Sequence, residues 1–363
     1  MSADRNVDGS VAPGYEAVRE ALASHPSGGS ALCVLRHGEP VVDLREGWAD
    51  SARSRPWTEN TLVNVYSVGK PVIALAVLLL VDRGLVGLDD PIARHWPGFR
   101  ARASVRQLLT HTAGLPFFPV PRDAPAWSDW DLLCADLAGA EPEWPPGTVA
   151  AEHALTYGHL LGEIVRRVDG RPPARFVAEE IAGPWGLDFS FGSAEPSRCA
   201  ELEFDRPERP DLMLGEPGSV RARAVLNPPG ARDLAVVNSA LWRTAVVPAV
   251  NLHATAVSLA RFYAGLLAGG VLGDRRLLST ALVDELTAAH FTGPDLFIES
   301  STTWGLGVQL EPDGTWGMGG LGGNAAWADP ATGHAISFVT RQLGDFDRVG
   351  AIDAALSSVR LLS

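Results

Sequence analysis

Apolar and polar positions near the start of the chain are arranged in a way that predicts a helix followed by a β-hairpin. Residues 15–25 place apolar side chains at the spacing of one helix face. Residues 31–35 and 41–44 are apolar runs on either side of the turn sequence Arg-His-Gly-Glu-Pro, which is typical of two antiparallel strands. Irregular sequence then continues to residue 61.

Helical patterns dominate the middle of the chain. The longest apolar run, residues 72–81, is too short to cross a bilayer and predicts a buried helix. Proline is tolerated in the first turn of a helix, so Pro71 allows this helix to begin near Ser67 and to run to residue 84. Residues 85–190 indicate helices joined by loops, with periodic stretches at 104–112 and 153–168. Residues 191–250 have weak periodicity and are expected to run over the surface.

The C-terminal part of the chain mixes both kinds of element. Helices are predicted at residues 254–268, 279–289 and 345–358, and short strands at 305–310, 325–329 and 335–340. Strands near both chain ends, with helices between them, favour an α+β fold in which one sheet is built from both ends. We therefore expect an α/β lobe of residues 1–84 and 245–363, and a mainly helical lobe of residues 85–244 with long loops.

Composition narrows the classes of partner. With 363 residues, 46% of them hydrophobic and 20% charged, the chain is an ordinary globular protein of one large or two smaller domains. Its net charge of −13 argues against binding to nucleic acid or to anionic membranes, because both need a basic surface. A small-molecule substrate is expected instead. The sequence does not predict an oligomeric state.

Cysteine usage and the N-terminal residues point to a cytoplasmic protein. Residues 1–16 are polar and lack a basic segment followed by an apolar one, so we expect no secretory signal. Cys33, Cys134 and Cys199 are few, far apart and odd in number, which fits unpaired thiols in a reducing compartment. No Cys and His spacing resembles a zinc site, and we expect neither a metal nor another cofactor.

The chain contains a single lysine among 30 basic side chains, and this Lys70 follows Ser67 by three residues. Arginine is effectively always protonated, whereas a buried lysine can lose its proton and act as a base. Positions three apart share a helix face, so Ser-x-x-Lys directs an amine at a hydroxyl. A helix N-terminus also leaves backbone N–H groups free and favours nearby negative charge. These features suit a serine nucleophile and the oxyanion that its reaction forms.

Several further stretches, in order along the chain, resemble the serine β-lactamase and penicillin-binding-protein superfamily, and among its members most closely the class C-like esterases called family VIII. These stretches are residues 64–70, 87–91, 107–115, 146–148, 157–162, 319–323 and 327–330. The resemblance implies an antiparallel sheet flanked by helices, an all-α lobe and an active site in the cleft between them. It further implies that Ser67 is acylated, that Lys70 is its base or proton relay, and that the backbone N–H groups of Ser67 and Leu321 form the oxyanion hole.

The second motif of that family departs from its usual form here. Counting from Pro146-Gly147-Thr148, Glu152 occupies the position of the usual catalytic tyrosine. Tyr157 lies five residues later, which on a helix is about 140° away, so it cannot take over from the same face. It matches a second tyrosine of such segments and is either a core aromatic or a substrate contact.

Glu152 leaves several mechanisms open. A carboxylate beside Lys70 would raise the pKa of the amine and make it a poor base. Glu152 could itself be the base, or hold a proton if desolvation dominates. Hydrolysis could also be impaired in favour of another acceptor or reaction. Alternatively, Glu152 points to solvent and catalysis has decayed.

The third motif, by position, is Met318-Gly319-Gly320 rather than a segment that starts with a cation. Methionine cannot pair with a substrate carboxylate and offers an apolar contact instead. The glycines permit close approach of the backbone to a ligand, although an ordinary tight turn between strands is the alternative. We expect this segment, Leu321, Tyr66, Tyr157 and Trp316 to contact the substrate.

The leading hypothesis is a serine-dependent acyl-transfer enzyme that uses Ser67, Lys70 and Glu152. Its substrate is expected to be a small ester, thioester or amide without a required carboxylate, and the acceptor to be water or, in an acyltransferase, an alcohol or amine. The missing tyrosine and cation disfavour β-lactam hydrolysis. Two alternatives remain: non-covalent acid–base chemistry by Glu152 and Lys70, as in an isomerase, lyase or cyclase, or a non-catalytic ligand-binding protein.

Overall fold

A computed structural model describes residues 7–193 and 195–360 and contains the mixture of helices and strands that the sequence predicts. Its strands, in chain order, are β1 (Val7–Val11), β2 (Gly29–Arg36), β3 (Glu39–Gly47), β4 (Val63–Asn64), β5 (Phe189–Phe191), β6 (Glu203–Phe204), β7 (Leu252–Ala254), β8 (Val271–Leu272), β9 (Arg275–Arg276), β10 (Phe291–Asp295), β11 (Ser300–Trp304), β12 (Gln309–Leu310), β13 (Trp316–Gly320), β14 (Asn324–Asp329), β15 (His334–Thr340) and β16 (Gln342–Leu343).

The α-helices are distributed along the whole described chain. They are α1 (Glu16–Ser24), α2 (Lys70–Asp82), α3 (Ile92–His95), α4 (Val105–Leu109), α5 (Trp130–Ala138), α6 (Tyr157–Asp169), α7 (Pro173–Val177), α8 (Gly183–Trp185), α9 (Arg209–Leu212), α10 (Val220–Leu226), α11 (Leu234–Val237), α12 (Ala240–Thr244), α13 (Ala256–Leu267), α14 (Thr280–Leu286) and α15 (Asp347–Arg360). Single turns of 3₁₀ helix cover Ser67–Gly69, Ala124–Ser128 and Pro196–Arg198, and Ala178–Ala182 forms a π turn.

The largest sheet of the described chain has nine strands in the order β1-β3-β2-β15-β14-β13-β12-β11-β10. All its neighbouring pairs are antiparallel. The predicted hairpin is confirmed as β2 and β3, and β15 pairs with β2 so that Ile336 lies opposite Val34. The sheet therefore joins strands from both ends of the chain, as the sequence predicts.

Helices cover both faces of this sheet. Helix α13 packs against β2, β14 and β15 on one face. Helices α1 and α15 pack together on the other face, where Leu22, Leu32, Ile336 and Leu356 share one buried cluster. Buried apolar side chains on both faces stabilise the sheet, at roughly 1.5–3 kcal/mol for each large aliphatic side chain.

Helix α2 is the centre of the remaining core. It is apolar on every side, and each residue from Lys70 to Leu80 is buried, which confirms the predicted buried helix. It packs against α6 and α7. Its first residue is Lys70, so the charged end of this apolar helix lies inside the protein rather than at the surface.

Two expectations for the second half of the chain are wrong. Residues 305–308, part of the strand predicted at 305–310, do not form a strand. Strand β13 was not predicted, because it is rich in glycine, which has a low strand propensity. Glycine is required there: a Cβ atom on Gly317 would lie 2.6 Å from Cα of Trp327 on β14. Residues 191–250 do not run over the surface throughout, since Trp242 and Val247 are fully buried and several short helices form.

Other sequence expectations have mixed outcomes. Cys33, Cys134 and Cys199 are buried and unpaired, as expected. In the part of the chain that the structure describes, no helix combines the length and hydropathy needed to cross a membrane. Residues 1–6, part of the segment examined for a secretory signal, lie outside the described residues. The division into lobes at residues 84 and 245 stays a prediction.

Candidate active site

Ser67 opens the 3₁₀ turn that leads directly into α2, as the sequence predicts. The preceding residue, Tyr66, has φ 51° and ψ −130°, a backbone conformation that favours glycine. Such a conformation costs roughly 1–3 kcal/mol, which the surrounding structure must supply. Here the flanking backbone is held by hydrogen bonds from Val65 N–H to Leu252 O at 2.9 Å and from Gly69 N–H to Tyr66 O at 3.0 Å.

The glycine between Ser67 and Lys70 allows the turn to pack tightly against β7. A Cβ atom on Gly69 would lie 2.6 Å from Cβ of Leu252 and 3.2 Å from the ring of Phe191. Any larger side chain would push the Ser67 turn away from the strands that support it. Close packing thus fixes the position of the hydroxyl.

Three side chains meet around the Ser67 hydroxyl. Lys70 Nζ donates a hydrogen bond to Ser67 Oγ at 2.6 Å, and it lies 2.8 Å from Glu152 Oε1. Ser67 Oγ is in turn 3.3 Å from the same Glu152 oxygen. The structure therefore brings together the three residues that the sequence predicts as catalytic. Each lies within hydrogen-bond distance of the other two, so the hydroxyl proton can pass to the Glu152 carboxylate or, when Lys70 is neutral, to its amine.

Glu152 lies on the loop between α5 and α6 and is held there by buried groups. Its own N–H donates to Asp295 Oδ1 at 3.1 Å. His111 secures both neighbours: Ala151 N–H donates to the His111 carbonyl at 3.1 Å, and His153 N–H donates to His111 Nδ1 at 3.1 Å. Backbone hydrogen bonds on three successive residues fix the direction of the Glu152 side chain.

Two opposed effects act on Lys70. Burial lowers the pKa of Lys70 below its usual value, and Glu152 opposes this effect without cancelling it. The carboxylate thus raises the pKa of the amine as the sequence predicts, but burial has the larger effect. The effect of burial was not visible in sequence, because the complete burial of the amine depends on α2 entering the core.

Strand β13 forms the other side of the site. Gly320 lets it approach the Ser67 turn, because a Cβ atom there would lie 2.3 Å from the carbonyl oxygen of Val65 and 3.1 Å from Val68. Leu321 follows at the end of the strand. The structure brings the predicted third segment to the site, since Met318, Gly319, Gly320 and Leu321 all border the same cavity as Ser67.

A cavity of about 290 Å³ opens beside Ser67 and Glu152. Much of its wall is apolar, and Tyr66 contributes to it as expected. The apolar lining comprises Ala154, Leu155, Met213, Val225, Ala231, Val250, Phe297, Ile298, Met318, Leu321 and Phe346. Arg221 and Arg232 add positive charge to the same lining. The cavity can thus hold a mainly apolar small molecule with its reacting carbonyl at Ser67.

Tyr157 and Trp316 are not brought to this cavity, contrary to the sequence expectation. Tyr157 is fully buried below the site and donates a hydrogen bond to the Leu109 carbonyl at 3.2 Å. Tyr157 is the first residue of α6, and Glu152 lies before this helix. The two residues are therefore not related by the helical rotation of about 140° that the sequence spacing suggested. Trp316 is buried against Tyr263, with ring centroids 5.6 Å apart.

Several residues that border or support the site were not predicted from the sequence. Phe297, Ile298, Phe346 and both arginines come from loops and short helices without periodicity. Asp295 is buried, and its carboxylate accepts hydrogen bonds from three backbone N–H groups and from Trp304 Nε1. Nothing in the local sequence separates this aspartate from a surface one. Within the described residues no three metal-ligating side chains cluster.

Comparisons with known proteins agree with this geometry. A family model described as Beta-lactamase matches residues 16–359. The curated protein "Esterase/beta-lactamase LipL" from Mycobacterium tuberculosis is 34% identical, over 94% of this chain and 84% of the relative.

Solved structures give the same result. A family VIII carboxylesterase superposes with a TM-score of 0.87 at 31% identity, covering 97% of this chain and 100% of that chain. A penicillin-binding protein homologue from Caulobacter crescentus superposes with a TM-score of 0.87 at 35% identity and the same coverage.

Proposed function

The chain belongs to the beta-lactamase family and is a serine hydrolase related to esterases, and on that basis we propose that it hydrolyses small-molecule esters through an acyl-enzyme formed on Ser67. The fold is that of the β-lactamases and penicillin-binding proteins, in agreement with the α+β prediction. An esterase activity is named for two of the reported proteins, the esterase/beta-lactamase and the family VIII carboxylesterase. The residue roles and the substrate are the proposed part.

The observation that carries the proposal is the hydrogen-bonded group of Ser67, Lys70 and Glu152 at the wall of the cavity. In acylation, Ser67 Oγ attacks the ester carbonyl while its proton passes to the Lys70 and Glu152 pair. The carbonyl oxygen becomes an oxyanion, which the backbone N–H groups of Ser67 and Leu321 stabilise. Collapse of this intermediate breaks the bond to the alcohol, which leaves with the proton.

Deacylation repeats the sequence with water. The Lys70 and Glu152 pair takes a proton from water, whose oxygen attacks the acyl carbonyl, and the proton then returns to Ser67 Oγ. Glu152 acts in this scheme where relatives use a tyrosine hydroxyl. Its carboxylate takes up and returns the proton together with the amine.

The apolar cavity favours ester over β-lactam substrates. Met318 borders the cavity at the position where the third motif usually provides a cation, so that strand offers no charge to a substrate carboxylate. The pocket volume suits a short acyl chain. Esters of small aliphatic acids are therefore the proposed substrates.

A test of the nucleophile combines labelling and turnover. A fluorophosphonate probe should label the wild-type protein at Ser67, and the protein should hydrolyse para-nitrophenyl butyrate. Ser67→Ala should abolish both, whereas Ser27→Ala, which alters a buried serine bound to Glu46, should keep both. Labelling that persists in Ser67→Ala would remove Ser67 as the nucleophile.

Transfer of the acyl group to an alcohol is a second candidate, favoured by the apolar lining around Ser67. Such a wall can hold an alcohol in place of water at the acyl-enzyme. In the presence of propanol, product analysis should then show propyl butyrate beside butyrate. Release of butyrate alone at every propanol concentration would limit the enzyme to hydrolysis.

A further inference from the structure

The wall of the cavity formed by residues 213–232 carries a positive charge that the proposed reaction does not use. Arg221 and Val225 lie on α10, whereas Met213, Ala231 and Arg232 lie in the turns that join the short helices between β6 and β7. The other charged residue of the lining is Glu152, which is paired with Lys70. The two arginines differ in how far their charges are already neutralised.

Arg221 has a partner within the protein. Its guanidinium lies 3.5 Å from the Glu299 carboxylate and 5.7 Å from the centre of the Phe297 ring. A carboxylate and an aromatic face both offset its charge. Arg221 therefore supports the wall and has little charge left for a ligand.

Arg232 lacks such a partner. Its Nη1 donates to the Pro210 carbonyl at 2.7 Å, which orients the guanidinium. Its Nε is buried and has no hydrogen-bond partner within the described residues. The Asp211 carboxylate raises the pKa of Arg232, but burial lowers this pKa more strongly, so Asp211 does not fully offset the cost of burying the charge. Burying half of a guanidinium and leaving one of its donors unpaired lowers the stability of the protein, unless an anion binds there.

Tyr66, another residue of the cavity lining, supplies a second unused donor. Its side chain is 1% exposed, and its hydroxyl has no hydrogen-bond partner among the residues that the structure describes. Burial raises the pKa of this hydroxyl, although Arg232 opposes the effect, so the group stays neutral and can donate a hydrogen bond. Arg232 Nε and the Tyr66 hydroxyl are therefore two hydrogen-bond donors without an acceptor among the described residues.

We propose that Arg232 and the Tyr66 hydroxyl form a subsite for an ionised carboxylate on the substrate, so that the enzyme prefers esters that carry a second, free carboxylate. The planar guanidinium fork matches a carboxylate in geometry as well as charge. This inference rests on the proposed ester hydrolysis at Ser67. It replaces the sequence expectation of a substrate without a carboxylate, because the anion is held by residues outside the third motif.

Matched ester pairs test the preference. One pair is monoethyl glutarate and the ethyl ester in which an isopropyl group replaces its carboxylate. The other pair places the carboxylate on the alcohol side: the butyrate ester of γ-hydroxybutyrate and its isopropyl counterpart. Hydrolysis is followed by acid release at constant pH, and the measured quantity is the ratio of kcat/KM within each pair.

In the wild-type enzyme at least one pair should favour the carboxylate ester. A charge-assisted hydrogen bond predicts that Arg232→Met lowers this ratio by about 10- to 100-fold and that Tyr66→Phe lowers it by a smaller factor. Arg232→Lys should restore part of it. Arg223→Met, which removes an arginine paired with Glu143 away from the cavity, should leave the ratio within about twofold.

Measuring ester binding without turnover tests the carboxylate subsite independently of the proposed hydrolysis. In the Ser67→Ala protein, calorimetric titration should show the same preference, and adding Arg232→Met should remove it. Equal affinity for both members of both pairs would overturn the carboxylate subsite even if esters are hydrolysed. A binding preference without turnover of any ester by the wild-type protein would instead contradict the proposed function and keep the subsite.

Discussion

Lys70 and Glu152 form a buried ion pair in which Nζ lies 2.8 Å from Oε1 and the lysine side chain has no exposed surface. Taking both charges out of water is expensive, and their attraction only partly offsets that expense. The net result is a lysine whose pKa lies below its usual value. A lowered pKa leaves a larger share of the amine neutral at working pH, and only the neutral amine can accept the proton of Ser67, which it contacts at 2.6 Å.

The pH dependence of acylation should report this pair. The neutral amine accepts the Ser67 proton, so kcat/KM should rise with pH through a midpoint below the usual lysine pKa of about 10.4. Glu152 raises the pKa of Lys70, so Glu152→Gln removes that effect and should shift the midpoint to lower pH. The pH profiles of both proteins with para-nitrophenyl butyrate check this. An unchanged midpoint would mean that Lys70 is not the titrating base.

Lys70→Arg should keep the positive charge but lose the base. Arginine stays protonated at every working pH, and general base catalysis contributes about 100- to 10,000-fold. We expect a loss of kcat/KM in that range, measured by single-turnover acylation. The matched control is Arg83→Lys, a change between the same residue types in the pair with Glu180 away from Ser67. Activity of Lys70→Arg close to wild type would assign the base to Glu152.

Asp295 should act as a positioning residue for Glu152. Asp295→Asn replaces one acceptor oxygen by a donor, which must face either the Trp304 N–H or the backbone N–H groups, including that of Glu152. We expect kcat/KM to fall by about 10- to 100-fold. The fluorophosphonate labelling rate should fall with it.

The control for this variant is Asp90→Asn, which removes acceptor capacity from an aspartate bound to the Gly87 N–H and to Arg94, outside the cavity lining. It should lower thermal stability while keeping kcat/KM within about twofold. If Asp295→Asn and Asp90→Asn lost the same activity at the same loss of stability, Asp295 would have only a structural role.

Gly320→Ala should separate β13 from the Ser67 turn. The new methyl group would meet the Val65 carbonyl, so the strand must shift, at a destabilisation of about 1–3 kcal/mol. Denaturant unfolding and the labelling rate should both decline. Gly350→Ala is the opposite case, because open space surrounds that position in α15, and it should stabilise by about 0.5–1 kcal/mol. Unaltered labelling in Gly320→Ala would argue against an oxyanion site at this strand.

Tyr157→Phe should distinguish a core tyrosine from a catalytic one. The hydroxyl loses its hydrogen bond to Leu109 O, which predicts destabilisation of about 1 kcal/mol. Activity should stay within about twofold of wild type, since the side chain does not border the cavity. A loss of kcat comparable to that of Lys70→Arg would show instead that Tyr157 reaches the substrate.

The spacing of apolar residues predicted the elements whose buried faces repeat regularly along the sequence. The hairpin of β2 and β3 and the apolar helix α2 follow from apolar spacing, and the Ser67 turn follows from its serine, glycine and lysine. Strand β13 escaped prediction because its glycines are required by close approach to Val65 and Trp327, a contact between distant residues. The positions of Arg221 and Arg232 at the cavity were not predicted either. These residues lie on a short helix and in a turn without periodicity, and packing against distant segments sets their position.

The sequence by itself determined the family, the sheet built from both chain ends, and the identities of Ser67, Lys70 and Glu152. These follow from residue types at fixed spacing, which the chain carries locally. Only the tertiary structure decided the protonation tendency of Lys70, the absence of Tyr157 from the cavity and the presence of Arg232 in it. Burial and distance set those properties, and both arise when segments far apart in sequence pack together.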